Sequence, residues 1–373
     1  MSTYKNATDL CDFLPDDLML FHGKRGKVVP LPPSGVPVAD THGHLHCLRE
    51  LTSSAALARA ALAGVGMLVD PIDPVEDIPF GIYSAPTVDA WHARTLDEAH
   101  ALLEYAKQKG VVLPYFSQAH IYGYERPAYN RLLDSFRIIA GVHPYGAAQF
   151  DASARERLMQ LLDLPYCVGI GEIGLDFGPY NKVAPNDQIR ALEFQLRLAH
   201  ERNLPVELHI RDAQDDNTAA AHVQAVQVLS RIGAPSRGCV LHCFTSTPQV
   251  MKPFVEMGCT IAFGGVSTFA SAPYVRQAIQ ACPVNQMVTE TDAPYMAPVP
   301  LRGHACEIAH VVFTAASLVA TKCAASFDSK EATCIPPKES YTVRPVSQSE
   351  VYGALWNNCL LYTSDAADEP RHV

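Results

Sequence analysis

Short apolar runs recur along the chain at 36–41, 65–72, 137–142, 167–173, 205–210, 238–244, 259–264 and 286–291. Runs such as Cys167-Val168-Gly169-Ile170-Gly171 and Gly238-Cys239-Val240-Leu241 are almost continuously apolar, which predicts strands covered on both faces. Between them, residues 51–63, 94–109, 151–162, 187–202, 219–232, 248–257 and 273–281 carry apolar positions at helical spacing. Eight strands alternating with helices predict a parallel sheet, because parallel strands need a crossover that a helix usually supplies. An open doubly wound sheet would place a glycine-rich phosphate-binding turn after its first strand, and the chain has His42-Gly43-His44 there instead. The expected fold class is therefore α/β, a (β/α)8 barrel with an N-terminal extension and loop insertions.

Residues 1–35 contain Pro15, Pro30, Pro32 and Pro33 and the basic cluster Lys24-Arg25-Gly26-Lys27, and read as an irregular extension over the fold. At 373 residues and 48% hydrophobic, the chain can bury a large core; length alone permits one barrel with additions or two smaller domains. The strand pattern assigns 36–358 to one barrel. A formal net charge of −10 excludes a broad basic footprint for nucleic acid. A phosphate-bearing substrate would then be held locally, by metals and a few Arg or Lys. The 11 Cys include no Cys-x-x-Cys pair, and the closest two, Cys239 and Cys243, read as buried strand residues, which fits a reducing, cytoplasmic location. Residues 1–17 are polar and acidic, and no uncharged apolar run reaches the roughly 18 residues of a membrane span, so neither a secretory signal nor a membrane partner is expected.

Candidate chemistry begins at Asp40-Thr41-His42-Gly43-His44. Alternate side chains of an extended strand point the same way, so His42 and His44 present two imidazoles from one strand end, a possible metal-ligand pair. Four later apolar runs end in Glu172, His209, His242 and Asp292. Barrel active sites lie at the carboxyl ends of the strands, and all six candidates fall there. Glu172, within Gly169-Ile170-Gly171-Glu172-Ile173-Gly174-Leu175-Asp176, is in a setting too apolar to leave a carboxylate unpaired without a cost of several kcal/mol. Either a metal or an ion pair with Arg211 would remove that cost. Taken singly, His209 and His242 are each a ligand or a core histidine bonded to a carbonyl; at matching strand ends beside His42 and His44 they favour ligation. Asp292 ends the last strand, and Pro294 enforces an extended turn just past it.

The blocks 40–45, 141–144, 169–176, 205–211, 241–244 and 289–295 resemble, in order and spacing, the signature blocks of the TatD family of metal-dependent hydrolases. The resemblance covers about 36–315. It implies a TIM barrel with two divalent metals that hydrolyses phosphodiesters, typically as a DNase with 3′ to 5′ exonuclease character. It places His42, His44, Glu172 and Asp292 on one metal and Glu172, His209 and His242 on the other, with Glu172 as the bridge. The N-terminal extension, the long segment 70–134 and the stretch 317–346 are additions to the family pattern. Thr245-Ser246-Thr247 replaces a glycine usual after the His-Cys-Phe block, and Ile308 stands where a proline is common after Arg302-Gly303.

Imidazole and carboxylate ligands together suit Zn, Mn or Mg. Two such metals activate a water and clamp phosphoryl oxygens, with Asp292 taking the water's proton. His143, in Gly141-Val142-His143-Pro144, and Arg211 are the nearest candidates for holding a phosphate of DNA or another phosphodiester substrate; a strand-end hydrogen bond for His143 and a counter-ion role toward Asp176 or Asp212 for Arg211 are the structural alternatives. An amidohydrolase acting on a small amide, ester or phosphotriester also starts from His-x-His, but often bridges its metals with a modified Lys, and no Lys lies in 165–176. An inert metal-binding barrel is the remaining alternative. No obligate protein partner is evident. Residues 359–369 match the translation of a transposase-type sequencing adapter, so 359–373 is expected to be foreign sequence that packs on nothing, after a helix running from Ser347 through Asn358.

Overall fold

A computed structural model describes residues 13–77, 87–112, 114, 116, 128–325 and 346–362. Eight parallel strands follow one another in chain order: β1 (Val38–Asp40), β2 (Val65–Ile72), β3 (Phe136–Ala140), β4 (Ile170–Asp176), β5 (Val206–Arg211), β6 (Cys239–Leu241), β7 (Thr260–Phe263) and β8 (Met287–Thr289). Regular ladders join β1 to β3 and β4 to β8 in sequence order. The first seam between the two groups is closed by Val168 N–H to Ile138 O (2.9 Å) and Ala140 N–H to Gly169 O (3.2 Å). The second is closed by Thr41 N–H to Thr289 O (3.0 Å) and by the Thr289 hydroxyl donating to Ala39 O (2.7 Å). The sheet thus returns on itself as the expected (β/α)8 barrel.

The helices form where apolar stripes meet good caps. Among the described residues α1 (Ser53–Ala63), α2 (Val88–Gln108), α3 (Ala128–Asp134), α4 (Ala152–Leu162), α5 (Pro185–Arg202), α6 (Ala220–Ile232), α7 (Pro248–Glu256), α8 (Pro273–Ala281), α9 (Val311–Ala325) and α10 (Gln348–Asn358) follow in order. The side chains of Thr52, Thr87, Asp151 and Thr247 each accept from a backbone N–H in the first turn of the helix they precede, satisfying a donor that would otherwise lack a partner. Ser347 and Glu350 cap α10 reciprocally. The helix expected over 94–109 starts earlier, at Val88, because Thr87 supplies that cap. α3 was not anticipated from periodicity. Strands β1, β6 and β8 are shorter than expected: just beyond them the chain leaves the ladder, at the site residues themselves.

The described part of the N-terminal segment lies against α1, with Phe13 and Phe21 buried. Arg59 of α1 holds it there, donating to Phe13 O (3.0 Å) and Leu20 O (2.6 Å). The expectation that 359–373 packs on nothing needs correction for 359–362. Cys359, Leu361 and Tyr362 are buried, and the Tyr362 hydroxyl donates to Glu207 Oε2 at 2.9 Å, because apolar side chains there cover the bottom of the barrel wall. Residues 363–373 lie outside the described residues, as do 78–86 and most of 113–127 within the 70–134 addition, and 326–345 within the 317–346 addition. No helix among the described residues is long and apolar enough to cross a membrane.

Candidate metal centre

The site is assembled from the carboxyl ends of β1, β4, β5, β6 and β8. Asp40, fully buried, ties the first and last strands: its carboxylate accepts from Thr291 N (2.9 Å), the Thr291 hydroxyl (2.6 Å) and His42 N (3.3 Å). Asp292 N–H donates to His42 O at 2.9 Å, and Asp292 has φ 53°, a left-handed conformation that Asp tolerates better than most residues. β4 reaches the centre through an irregularity. Ile170 pairs with Val206 but Ile173 with Leu208, so one extra residue lies in β4 around Glu172 and breaks its period of two.

The six expected ligands come together. His42 Nε2 lies 3.1 Å from His44 Nε2, 3.7 Å from Glu172 Oε2 and 3.8 Å from Asp292 Oδ1. His44 Nε2 is 3.5 Å from Asp292 Oδ1. Glu172 Oε1 faces His209 Nδ1 at 2.5 Å and His242 Nε2 at 3.3 Å. His143 joins the group, with Nε2 3.7 Å from Glu172 Oε1 and Nδ1 accepting from Tyr145 N–H at 3.2 Å. Arg211 does not. It is exposed, its guanidinium lies over the Tyr180 ring at 5.5 Å, and Glu172 is surrounded by imidazoles where an ion pair with Arg211 had been the alternative. Cys243 lies just past β6 and is half-buried, not a strand residue, and places its donor atom near those of His242 and Asp292.

Two carboxylates that sequence reasoning passed over hold the imidazoles. Glu207 Oε1 accepts from His42 Nδ1 at 2.6 Å, and Glu290 Oε2 accepts from His242 Nδ1 at 3.0 Å, while Glu290 Oε1 also takes Cys243 N–H at 2.7 Å. Both Glu are completely buried. The signal for them was present: Asp40, Glu207 and Glu290 each precede a site residue by two positions, and so share its strand face.

This arrangement answers whether a cation fits. With Nδ1–H of His42 and His242 committed to Glu207 and Glu290, the Nε2 lone pairs point at carboxylate oxygens of Glu172 and Asp292, which are also acceptors. Acceptors converging on acceptors need either protons or a metal between them, and carboxylate-braced imidazoles are the usual setting of a metal ligand. Protons meet that need when no metal does. Burial opposes a charge on His44 and His209, but Asp292 and Glu172 around His44, and Glu172 and Asp176 around His209, raise each to about 9. Burial would also raise Glu172, yet His143, His209, His242 and His42 draw it well below the usual carboxylate range. His143 differs: burial outweighs the pull of Glu172 and lowers it to about 3, leaving a neutral ring.

A parallel barrel with imidazole and carboxylate donors converging at its carboxyl face defines a metal-dependent hydrolase. The chain belongs to the TatD related DNase family, whose model matches residues 39–334. It is 29% identical over 208 residues to the uncharacterized metal-dependent hydrolase YabD of Bacillus subtilis, a match covering 54% of this chain and 78% of that protein. It is 37% identical over 160 residues to the 3′-5′ ssDNA/RNA exonuclease TatD of Escherichia coli K12, covering 43% of this chain and 58% of that one. The chain thus matches somewhat more than half the length of the exonucleases it resembles. Among solved structures, the TatD homologue YjjV of Escherichia coli K12 superposes with a TM-score of 0.60 at 24% identity, covering 88% of this chain and 98% of that one. A TatD family hydrolase from Entamoeba histolytica does so with a TM-score of 0.56 at 14% identity, over 88% of this chain and 98% of its own. Those two likenesses concern the fold.

Proposed function

We propose that the chain is a metal-dependent phosphodiesterase that removes nucleotides from the 3′ ends of single-stranded nucleic acid, in a cytoplasmic setting. The observation that carries this is the convergence of imidazole and carboxylate donor atoms from five strand ends on Glu172, at the barrel face where active sites form. The name of the exonuclease relatives supports the substrate class.

In this reading His42, His44 and Asp292 would hold one divalent ion, His209 and His242 would hold a second, and Glu172 would contribute to both. When bound, Zn, Mn or Mg supplies Lewis acidity toward the phosphoryl oxygens and makes a water nucleophilic at neutral pH. The protein's residues do the rest. Asp292 accepts the proton of the attacking water. Glu207 and Glu290 fix the ring orientation and tautomer of His42 and His242. The neutral His143 ring accepts at Nδ1 from Tyr145 N–H, which leaves its proton on Nε2, aimed toward Glu172 and available to a phosphoryl or departing oxygen.

The test is the purified full chain, supplied separately with Mg, Mn and Zn, against a 5′-labelled single-stranded oligonucleotide, an aminoacyl ester and a phosphotriester. The expected result is a ladder of oligonucleotides shortened from the 3′ end, abolished by chelation. Chelator-resistant cleavage, or turnover confined to the ester or the triester, overturns the proposal.

A further inference from the structure

Directly beyond the centre, the loop joining β4 to α5 carries an aromatic ring that the fold does not use. Tyr180 is 75% exposed, the most exposed aromatic side chain among the described residues. Among those residues its hydroxyl finds no hydrogen-bond partner. The loop on either side is nevertheless closely braced. Asp176 accepts from Gly178 N–H (2.6 Å), Asn181 Nδ2 donates to Asp176 O (3.0 Å), and Gln188 Nε2 donates to Val183 O (2.8 Å) and Asp176 O (3.1 Å). An irregular loop held this firmly keeps its tip in one place. The tip is Tyr180.

Arg211 is held over that tip. It is the last residue of β5, two positions past His209 on the same face, or about 6.6 Å along the strand. Its carbonyl accepts from Phe177 N–H at 2.8 Å, and its stem lies so close to Gly178 that an added Cβ there would come within 2.9 Å of Arg211 Nε and 2.8 Å of Asp176 Oδ1. Asp176 in turn faces His209 Nε2 at 3.1 Å. The Arg211 guanidinium over the Tyr180 ring, the Phe177 N–H bond to Arg211 O and the Asp176 contact with His209 thus tie the loop tip to the strand that carries the candidate ligand His209. An exposed ring with a guanidinium over it presents a flat apolar face and a positive charge together, on a chain whose net charge of −10 provides no general attraction for a polyanion.

We infer that Tyr180, with Arg211 above its ring, is a stacking platform for an unpaired nucleobase of the strand whose phosphate lies at the centre, so that Tyr180 selects single-stranded nucleic acid over small diesters. Stacking on an aromatic face suits this occupant because every base offers a π-face, whereas a base inside a duplex has both faces covered by its stacked neighbours. The inference rests on the nuclease reading above and adds to it a specificity-determining residue.

The experiment uses the full chain loaded with metal and compares wild type with Tyr180→Ala and Tyr180→Trp. Substrates are a short oligothymidylate, the same oligomer with an abasic 3′-terminal residue, and bis(p-nitrophenyl) phosphate. Tyr180→Ala is expected to raise KM for the oligothymidylate about tenfold (about 1.4 kcal/mol), with kcat and the hydrolysis of bis(p-nitrophenyl) phosphate unchanged. Tyr180→Trp restores the KM, and the abasic oligomer distinguishes wild type from Tyr180→Ala far less than the intact one does. An equal loss on oligomer and small diester, or no change on the oligomer, overturns the platform. If wild type hydrolyses neither diester, the nuclease reading fails by itself. Equilibrium binding of labelled oligothymidylate then decides: a Kd weakened about tenfold in Tyr180→Ala supports the platform, and an unchanged Kd overturns it.

Discussion

Glu207 Oε1 accepts a hydrogen bond from His42 Nδ1 at 2.6 Å in a wholly buried pair, and through it β5 sets the direction in which a β1 imidazole offers its other nitrogen. A carboxylate in that position fixes the tautomer and makes Nε2 a better donor to a cation. Glu207→Gln keeps the shape and an oxygen acceptor but loses the charge. Metal affinity is expected to fall about 10- to 100-fold, measured by competition with a chelating dye, while circular dichroism stays as in wild type. An affinity equal to wild type would mean that Glu207 does not tune the centre.

Asp292 and Glu172 are expected to fail differently. Asp292→Asn retains a possible oxygen ligand but cannot take a proton, so turnover should drop by roughly 10²- to 10⁴-fold with metal content largely kept. Glu172→Gln removes the negative charge that four imidazoles surround and, with the two proposed cations bound, would leave their repulsion uncompensated, so it should lower metal stoichiometry as well as rate. Metal analysis and turnover on both variants check this. Near wild-type turnover in Asp292→Asn with metal retained would remove Asp292 from the role of base.

Much of this architecture is legible because continuous apolar strands end abruptly in polar residues. His42, His242 and Asp292 each stand just past such a run, Glu172 and His209 interrupt theirs, and the barrel closure follows from eight of those runs in order. Glu207 and Glu290 escaped notice for the opposite reason. They sit inside or against apolar strands, and what neutralises their burial is an imidazole from another strand, His42 lying 165 residues away from Glu207 in the chain. Arg211 illustrates a different limit: alternation places it on the face of His209, but only the turn at Gly178 decides that its guanidinium lies over Tyr180. Tyr362 shows that a segment of unrelated appearance still buries a ring when the neighbouring wall offers an apolar seat and an acceptor.

The buried pair between Arg59 and Glu307 makes acid stability testable. Arg59 Nε and an Arg59 terminal nitrogen reach the two Glu307 oxygens at 2.7 Å each. Burial raises the Glu307 carboxyl, but Arg59 and His310 more than reverse this and hold it at about 2. A depressed carboxyl stabilises the fold above its unfolded value of 4.5, and that contribution disappears as pH falls toward 2. The gap corresponds to about 3 kcal/mol. Urea titrations of wild type and Glu307→Gln are expected to differ at pH 6 and to converge as pH falls from about 4.5 to about 2. A difference independent of pH would show that the charge on Glu307 is not what ties α1 to the last barrel loop.

Gly174 sets how closely β4 can approach β5 beside His209. Its φ is 153°, and a Cβ built there would lie 1.9 Å from the carbonyl oxygen of His209, a distance no packing adjustment of side chains can relieve because the obstacle is backbone. Gly174 is opposite His209 in the ladder, on the same strand as the extra residue around Glu172 and just past it. Gly174→Ala must therefore push β4 and β5 apart at the point where Glu172 Oε1 and His209 Nδ1 meet. The expected cost is about 3 kcal/mol or more, from strain at a positive φ together with the clash. Thermal unfolding reads the stability, and metal titration of the fraction that folds reads the site, which should bind more weakly than wild type. A variant with wild-type melting temperature and wild-type metal affinity would show that β4 is not held at this distance from β5, and that the approach of Glu172 to His209 does not depend on it.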